Sequence, residues 1–311
     1  MTRMVQTTRR NFLAGGFSAL LAAGSAGGCS RRTGLVDRAR LGVCSWSYRL
    51  PLDGVAAEMR RIGLKRVHLA LQPFLQGDAR HGAAEGLAAR KAVEARFASG
   101  EWVLSATMLS FRHEDYSTLE TIRKTGGIVP DQHWDEVKGL IKKAARLSAE
   151  WKAPALSLHA GFLDEKNPAA LKTFTERMKF MVDVCGEAGV PLILESGQET
   201  AEDLARFLTA VPGVGVNFDP ANMILYGKGD PVAAVKILAP WIRHVHVKDA
   251  VQTKVPGTWG TETVWGEGEV NPAAFLAALE TAGYTGAFAI EREGRSTRVA
   301  DIATAAKRLL G

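Results

Sequence analysis

The chain has 311 residues, 46% hydrophobic and 23% charged, a balance that suits one large core or two smaller ones and excludes disordered and collagen-like classes. Its formal charge of +6 overstates its basicity, because Arg3, Arg9 and Arg10 lie in an N-terminal segment (1–28) without an acid, and the remainder carries only +3. So small an excess makes no polyanion-binding surface, and no nucleic-acid partner is expected.

The first feature in chain order is Thr8-Arg9-Arg10-Asn11-Phe12-Leu13, followed by a Gly- and Ala-rich apolar run to about Ala26. Paired arginines before a short, moderately hydrophobic stretch resemble a twin-arginine export signal, a route that carries folded proteins. The run is too short and too rich in glycine to span a bilayer or pack as a core helix. Residues 1–35 are therefore expected to be signal and linker, and the barrel described below, residues 36–311, to be periplasmic. Small residues precede Cys29, as they do at an acylated cysteine, although Ala26 stands where a leucine is usual; a lipid anchor at Cys29 is a further expectation. Cys44 and Cys185 stand alone in apolar segments and read as small buried residues.

From Leu41 onward short apolar runs alternate with longer amphipathic ones. Strands are predicted at 41–46, 65–71, 102–109, 155–160, 191–196, 214–219, 242–249 and 286–291. Helical patterns between them include 83–98, 134–151, 169–188, 202–208 and 272–282. Asp131, Asn167-Pro168 and Asn271-Pro272 stand where helices open, and Gly63, Gly189 and Gly283 where they close. Eight strand-helix units with strands apolar on both faces predict a single (β/α)8 barrel. An open doubly wound sheet would usually carry a glycine-rich fingerprint after its first strand, where this chain has Ser45-Trp46-Ser47-Tyr48-Arg49. The longest connections, 110–131 and 250–270, are expected to cover the barrel mouth.

Chemistry in such a barrel collects at the C-terminal ends of the strands. The last five strands end in or near His159, Glu195, Asp219, His246 and Glu291. Each has a plain alternative: Asp219 before Pro220 is also a good helix N-cap, Glu195 and Glu291 could be solvated acids, and His246 could be a core histidine beside His244. Their concurrence is more telling, since three acids and an imidazole at one mouth repel one another unless a cation lies among them. This oxygen-rich set with one nitrogen suits Mn²⁺ best, and also Mg²⁺, Co²⁺ or Zn²⁺. A divalent ion there would polarise a ketose and acidify the neighbouring C–H, and two glutamates at one carbon could remove and return its proton.

The motifs SLHAG, LILES, NFDPANM, HVHVKD and AIERE resemble those of the sugar phosphate isomerase/epimerase family of xylose isomerase-like barrels. The resemblance implies that Glu195, Asp219, His246 and Glu291 bind the metal, that Glu195 and Glu291 also transfer protons, and that His159 and Lys248 face substrate. It also allows a homodimer or tetramer. Two departures are visible: ketose 3-epimerases usually carry histidine where Asn222 stands, and an arginine after the strand-7 histidine where this chain continues Lys248-Asp249. Asn222 can still hydrogen-bond a substrate oxygen but cannot shuttle a proton at neutral pH. With no arginine cluster to cradle phosphate, the expected partner is a free or oxidised sugar or a glycoside, with Trp46, Tyr48, Trp259 and Trp265 available to stack on a ring. The segment 256–270, with Glu262 and Glu267, is read as a lid. The leading expectation is a metal-dependent epimerase or isomerase working through an enediolate. A lyase or dehydratase of a keto-sugar or keto-glycoside, and a non-catalytic sugar-binding barrel, are the alternatives. A trinuclear repair endonuclease would need more histidines at the mouth than this chain supplies.

Overall fold

Residues 34–75 and 83–311 are described by a computed structural model; the expected export signal and Cys29 lie outside them. Ten strands and ten α-helices occur in this part of the chain. The strands are β1 (Leu41–Cys44), β2 (Arg66–Ala70), β3 (Val103–Leu109), β4 (Leu156–Leu158), β5 (Leu192–Glu195), β6 (Val214–Phe218), β7 (Ile242–Val247), β8 (Asp249–Val251), β9 (Thr261–Thr263) and β10 (Ala287–Ile290). Eight of them close a parallel barrel in the order β1-β10-β7-β6-β5-β4-β3-β2, sealed where Leu41 pairs with Phe288. The remaining two, β8 and β9, form a separate antiparallel hairpin. Val, Ile and Leu fill these short strands because both their faces are covered, by the barrel interior and by the surrounding helices. Most strand positions are accordingly buried.

The helices are α1 (Leu52–Arg61), α2 (Ala83–Ala98), α3 (Leu119–Thr125), α4 (Trp134–Glu150), α5 (Pro168–Ala188), α6 (Ala201–Ala210), α7 (Pro220–Leu225), α8 (Pro231–Leu238), α9 (Pro272–Thr281) and α10 (Arg298–Leu310). The expected caps form at α5, where the Asn167 side chain accepts from Ala170 N–H, and at α9, where Asn271 accepts from Ala274 N–H. Asp131 does not cap a helix: it lies in a single 3-10 turn before α4 and pairs with Arg177 of α5. All eight expected barrel strands form, each shorter than its apolar run. The first stops at Cys44 because Ser45–Tyr48 winds into a 3-10 turn that ends on Arg49 in the left-handed region.

Two irregularities bear on the site. The β2–β3 register shifts between Val67 and His68, and the β6–β7 register shifts between Val216 and Asn217. Such shifts re-aim the side chains that follow them. Among the described residues no helix is long and apolar enough to cross a membrane.

Candidate metal centre

Glu195 ends β5, Asp219 follows β6, His246 lies in β7 and Glu291 follows β10. One ligand atom from each falls within 4.8 Å of the others, and all four residues are buried. His246 is the hub: its Nδ1 lies 3.5 Å from Glu195 Oε1, 3.3 Å from Asp219 Oδ2 and 3.1 Å from Glu291 Oε2. The cap reading of Asp219 holds and leaves the ligand reading open, because its carboxylate is divided. Oδ1 accepts from Asn222 N–H and caps α7, while Oδ2 turns to His246.

Each glutamate is held from two sides. Glu195 Oε1 accepts from Asn222 Nδ2 at 2.9 Å, and His159 Nε2 stands 3.4 Å from Oε2. Glu291 Oε1 accepts from Trp46 Nε1 at 2.7 Å, and Oε2 accepts from Lys248 Nζ at 3.0 Å. Lys248 also donates to Glu293 and lies 3.8 Å from Asp219. Gly197, at φ 126, permits the approach of Asn222: a Cβ there would lie 2.2 Å from that of Asn222. His159, Asn222, Lys248 and Trp46, the expected substrate-facing residues, are thus gathered around these carboxylates.

The electrostatics differ from the sequence argument in one respect. Three buried acids need not wait for an ion, because His159, His246 and Lys248 bring positive charge among them. Burial raises the Glu195 carboxyl, but His159 and His246 outweigh it and hold it well below the usual range. Burial lowers His159, yet the facing Glu195 carries it up to about 9. Lys248, although buried, is held well above its ordinary value by Glu291 and Glu293. The donor set still fits a divalent cation: three carboxylates and an imidazole nitrogen converge, and Glu195 Oε2 is buried without a hydrogen-bond partner.

Two of the expected sugar-stacking aromatics belong to the core instead. Tyr48 is 2% exposed, and Trp265, 3% exposed, packs on Phe275. Trp259 does reach the mouth region, edge-on to Tyr226, which meets Phe162. Glu262 of the expected lid accepts from Arg292 and from the Glu293 and Gly294 N–H groups, and Glu267 pairs with Arg308. Both are therefore structural ties. Sequence reasoning assigned no role to a polar layer beneath the carboxylates, comprising His68, Ser105, Ser157, Asn217 and His244, all buried. It also overlooked Gln198 and Glu199 just after β5. The signal available was the alternation that places Asn217 on the face of Asp219.

The family model of xylose isomerase-like TIM barrels matches residues 110–310. No curated protein matches the sequence. Among solved structures, a xylose isomerase domain protein from Planctomyces limnophilus superposes with a TM-score of 0.73 at 27% identity, covering 86% of this chain and 93% of its own. The probable 3-DHS dehydratase AsbF of Bacillus anthracis gives 0.66 at 14% identity, over 88% of this chain and 99% of its own. D-psicose 3-epimerase from Clostridium cellulolyticum H10, solved with D-tagatose, gives 0.63 at 12% identity, over 87% and 99%. With its closed eight-stranded barrel and its match to the family along most of its length, the chain belongs to the xylose isomerase-like TIM barrel family.

Proposed function

We propose that this protein is a divalent-metal-dependent sugar isomerase or epimerase that acts on a free or oxidised sugar by moving a proton at a carbon next to a carbonyl. One observation carries the reading: two buried glutamates from separate strands flank one histidine, each with one oxygen held by a neutral N–H and the other facing a cation. Glu195, Asp219, His246 and Glu291 would hold the metal, with Mn²⁺ or Mg²⁺ the best match to the donors. When bound, the ion supplies Lewis-acid stabilisation of the negative charge that develops on substrate oxygen.

The side chains do the rest. Glu195, kept ionised by the facing His159, accepts the proton from carbon. An epimerase would return a proton to the other face through Glu291, which takes it from the Lys248 ammonium that donates to its Oε2. The proton held by Glu195 would then pass to the side of Lys248 through solvent; an isomerase would instead pass the proton taken by Glu195 on to the neighbouring carbon. Asn222 orients Glu195 and offers substrate a neutral polar contact where a histidine would be ionisable. Burial of Glu195, Asn222, His246, Lys248 and Glu291 limits water at the carboxylates and strengthens their electrostatic contacts. Export by the twin-arginine route belongs to the same proposal and favours unphosphorylated substrates.

A lyase or dehydratase is the second reading, and Lys248 is the observation that favours it. A buried ammonium beside Glu291 could protonate a departing oxygen after the same abstraction from carbon. The family's fold does not choose, since a dehydratase and an epimerase superpose on this chain about equally well.

Incubation with Mn²⁺ and a panel of free and keto sugars in D₂O, followed by NMR, separates these. Solvent deuterium in an otherwise intact sugar is the expected result. Release of water or an alcohol would establish the lyase instead. Glu195→Gln is expected to bind sugar and lose at least about 100-fold in turnover; a wild type inert to the whole panel while binding sugar would leave a non-catalytic barrel.

A further inference from the structure

A groove of about 820 Å³ lies among the segments that follow four consecutive barrel strands. Arg123 comes from the segment after β3, Phe162 and Lys166 from that after β4, Gln198 and Glu199 from that after β5, and Lys228 from that after β6. Such segments gather at the C-terminal face of a barrel, so the groove opens on the side that carries the carboxylates. The two regions are also joined. Leu163, Gln198 and Glu199 line both the groove and a small cavity that Glu195 lines as well. Phe162 lies edge-on to Tyr226, 5.5 Å between ring centres, and Tyr226 ends the helix that Asp219 caps. The proton transfers proposed above need no group in this groove.

Its lining selects the chemistry it accepts. At about 820 Å³ the groove falls in the range that buries a drug-sized molecule, roughly 300 to 1,000 Å³, more than one monosaccharide fills. Sites for hydrocarbon-rich ligands are walled mainly by apolar and aromatic side chains; here one aromatic ring, Phe162, stands among charges of both signs. Some of those charges hold the walls together. Arg177 donates to the Ile128 and Val129 carbonyls, and Arg206 ties Glu165 to Asp203. Arg123 lies over the Phe162 ring, 5.4 Å from its centre, and fixes its orientation. Lys166 and Lys228 add donors, and Glu199 adds an acceptor. A sugar ring has an apolar C–H face that stacks on an aromatic and a rim of hydroxyls that both donate and accept, and so matches this lining.

We propose that this groove is a second sugar subsite: the substrate is a disaccharide whose carbonyl-bearing unit lies at the metal centre while its glycosidically linked second ring stacks on Phe162 and hydrogen-bonds to the charged walls. The inference rests on the sugar reading above and narrows it from a single sugar to one that carries a second ring. Contacts so far from the reacting carbon supply binding energy that a monosaccharide lacks.

The test is calorimetric titration of the full chain, in the presence of Mn²⁺, with maltose, cellobiose and lactose, and with glucose, the unit at the reducing end of each. At least one disaccharide is expected to bind about 10-fold more tightly than glucose, and Phe162→Ala to bring that ratio below about 3-fold. Should Phe162→Ala fail to fold, Phe162→Leu keeps the apolar volume and removes the aromatic face. Affinities for all three disaccharides within about 2-fold of that for glucose would overturn the subsite, as would a ratio left unchanged in the folded variant. A preferred disaccharide that binds and takes up no deuterium in D₂O would instead count against the proposed function and leave the subsite standing. A chain that binds none of these sugars would overturn the subsite, and turnover in the monosaccharide panel then decides the proposed function by itself.

Discussion

At the scale of single residues, the site owes its form to side chains with two jobs. Asp219 caps α7 with one oxygen and faces His246 with the other, so the cap reading and the ligand reading were never exclusive. Glu199 shows the opposite economy, a carboxyl in a poor place for charge. Its Oε1 accepts from Leu163 N–H at 3.1 Å, and burial pushes its pKa from 4.5 up to about 7. The native state therefore binds more protons than the unfolded one between those values. The stabilising contribution is fully present below pH 4.5 and is lost as pH rises through 7. Glu199→Gln keeps an acceptor for Leu163 and is expected to match wild type near pH 4.5 but exceed it by up to about 2 kcal/mol at pH 8. Urea denaturation at the two pH values checks this; equal stability of the two proteins at pH 8 would refute it. The four strand-end residues were legible because order along the chain and alternation within a strand are local properties. His68 was not, since a histidine in VHLAL reads as any core residue until β2 is folded against β7.

Among the elements, the β8–β9 hairpin was the least foreseen, because glycine-rich segments carry little periodicity and β8 begins only two residues after β7 ends. It is organised by Asp249, fully buried, whose carboxylate accepts from the N–H groups of Ala250, Gly266, Gly268 and Val270. Gly268 is required by the same contact, since a Cβ there would lie 2.2 Å from Asp249 Oδ1. Asp249→Asn turns an acceptor into a donor facing donors, and is expected to destabilise the fold by about 2 to 3 kcal/mol. It should also open the 252–260 segment to limited proteolysis. Unchanged melting and an unchanged digestion pattern would refute this account of the loop. The expected lid thus exists as a covalent stretch, but its two glutamates brace Arg292 and Arg308 rather than reach for substrate.

For the whole molecule, a cation bound by groups from four strands would tie together β5, β6, β7 and β10, positions far apart in the chain. Ligation to the native state alone adds about 2.7 kcal/mol at a hundredfold excess over Kd, roughly 5 to 10 °C in Tm for a domain of this size. Thermal melts with Mn²⁺ are expected to show that rise, EDTA to reverse it and Glu291→Gln to abolish it; a flat response would remove the metal from the account. By itself the sequence determined the barrel, its eight strands and the order of the four polar residues at the strand ends, because hydrophobic period and chain order are written locally. Only the tertiary structure decided which polar groups meet. Lys248 and His159 among the acids, Trp46 on Glu291, and His68 and Asn217 under His246 are contacts between strands separated by dozens of residues. Their partners are set by barrel closure and by two one-residue shifts in register, which no periodicity in the chain records.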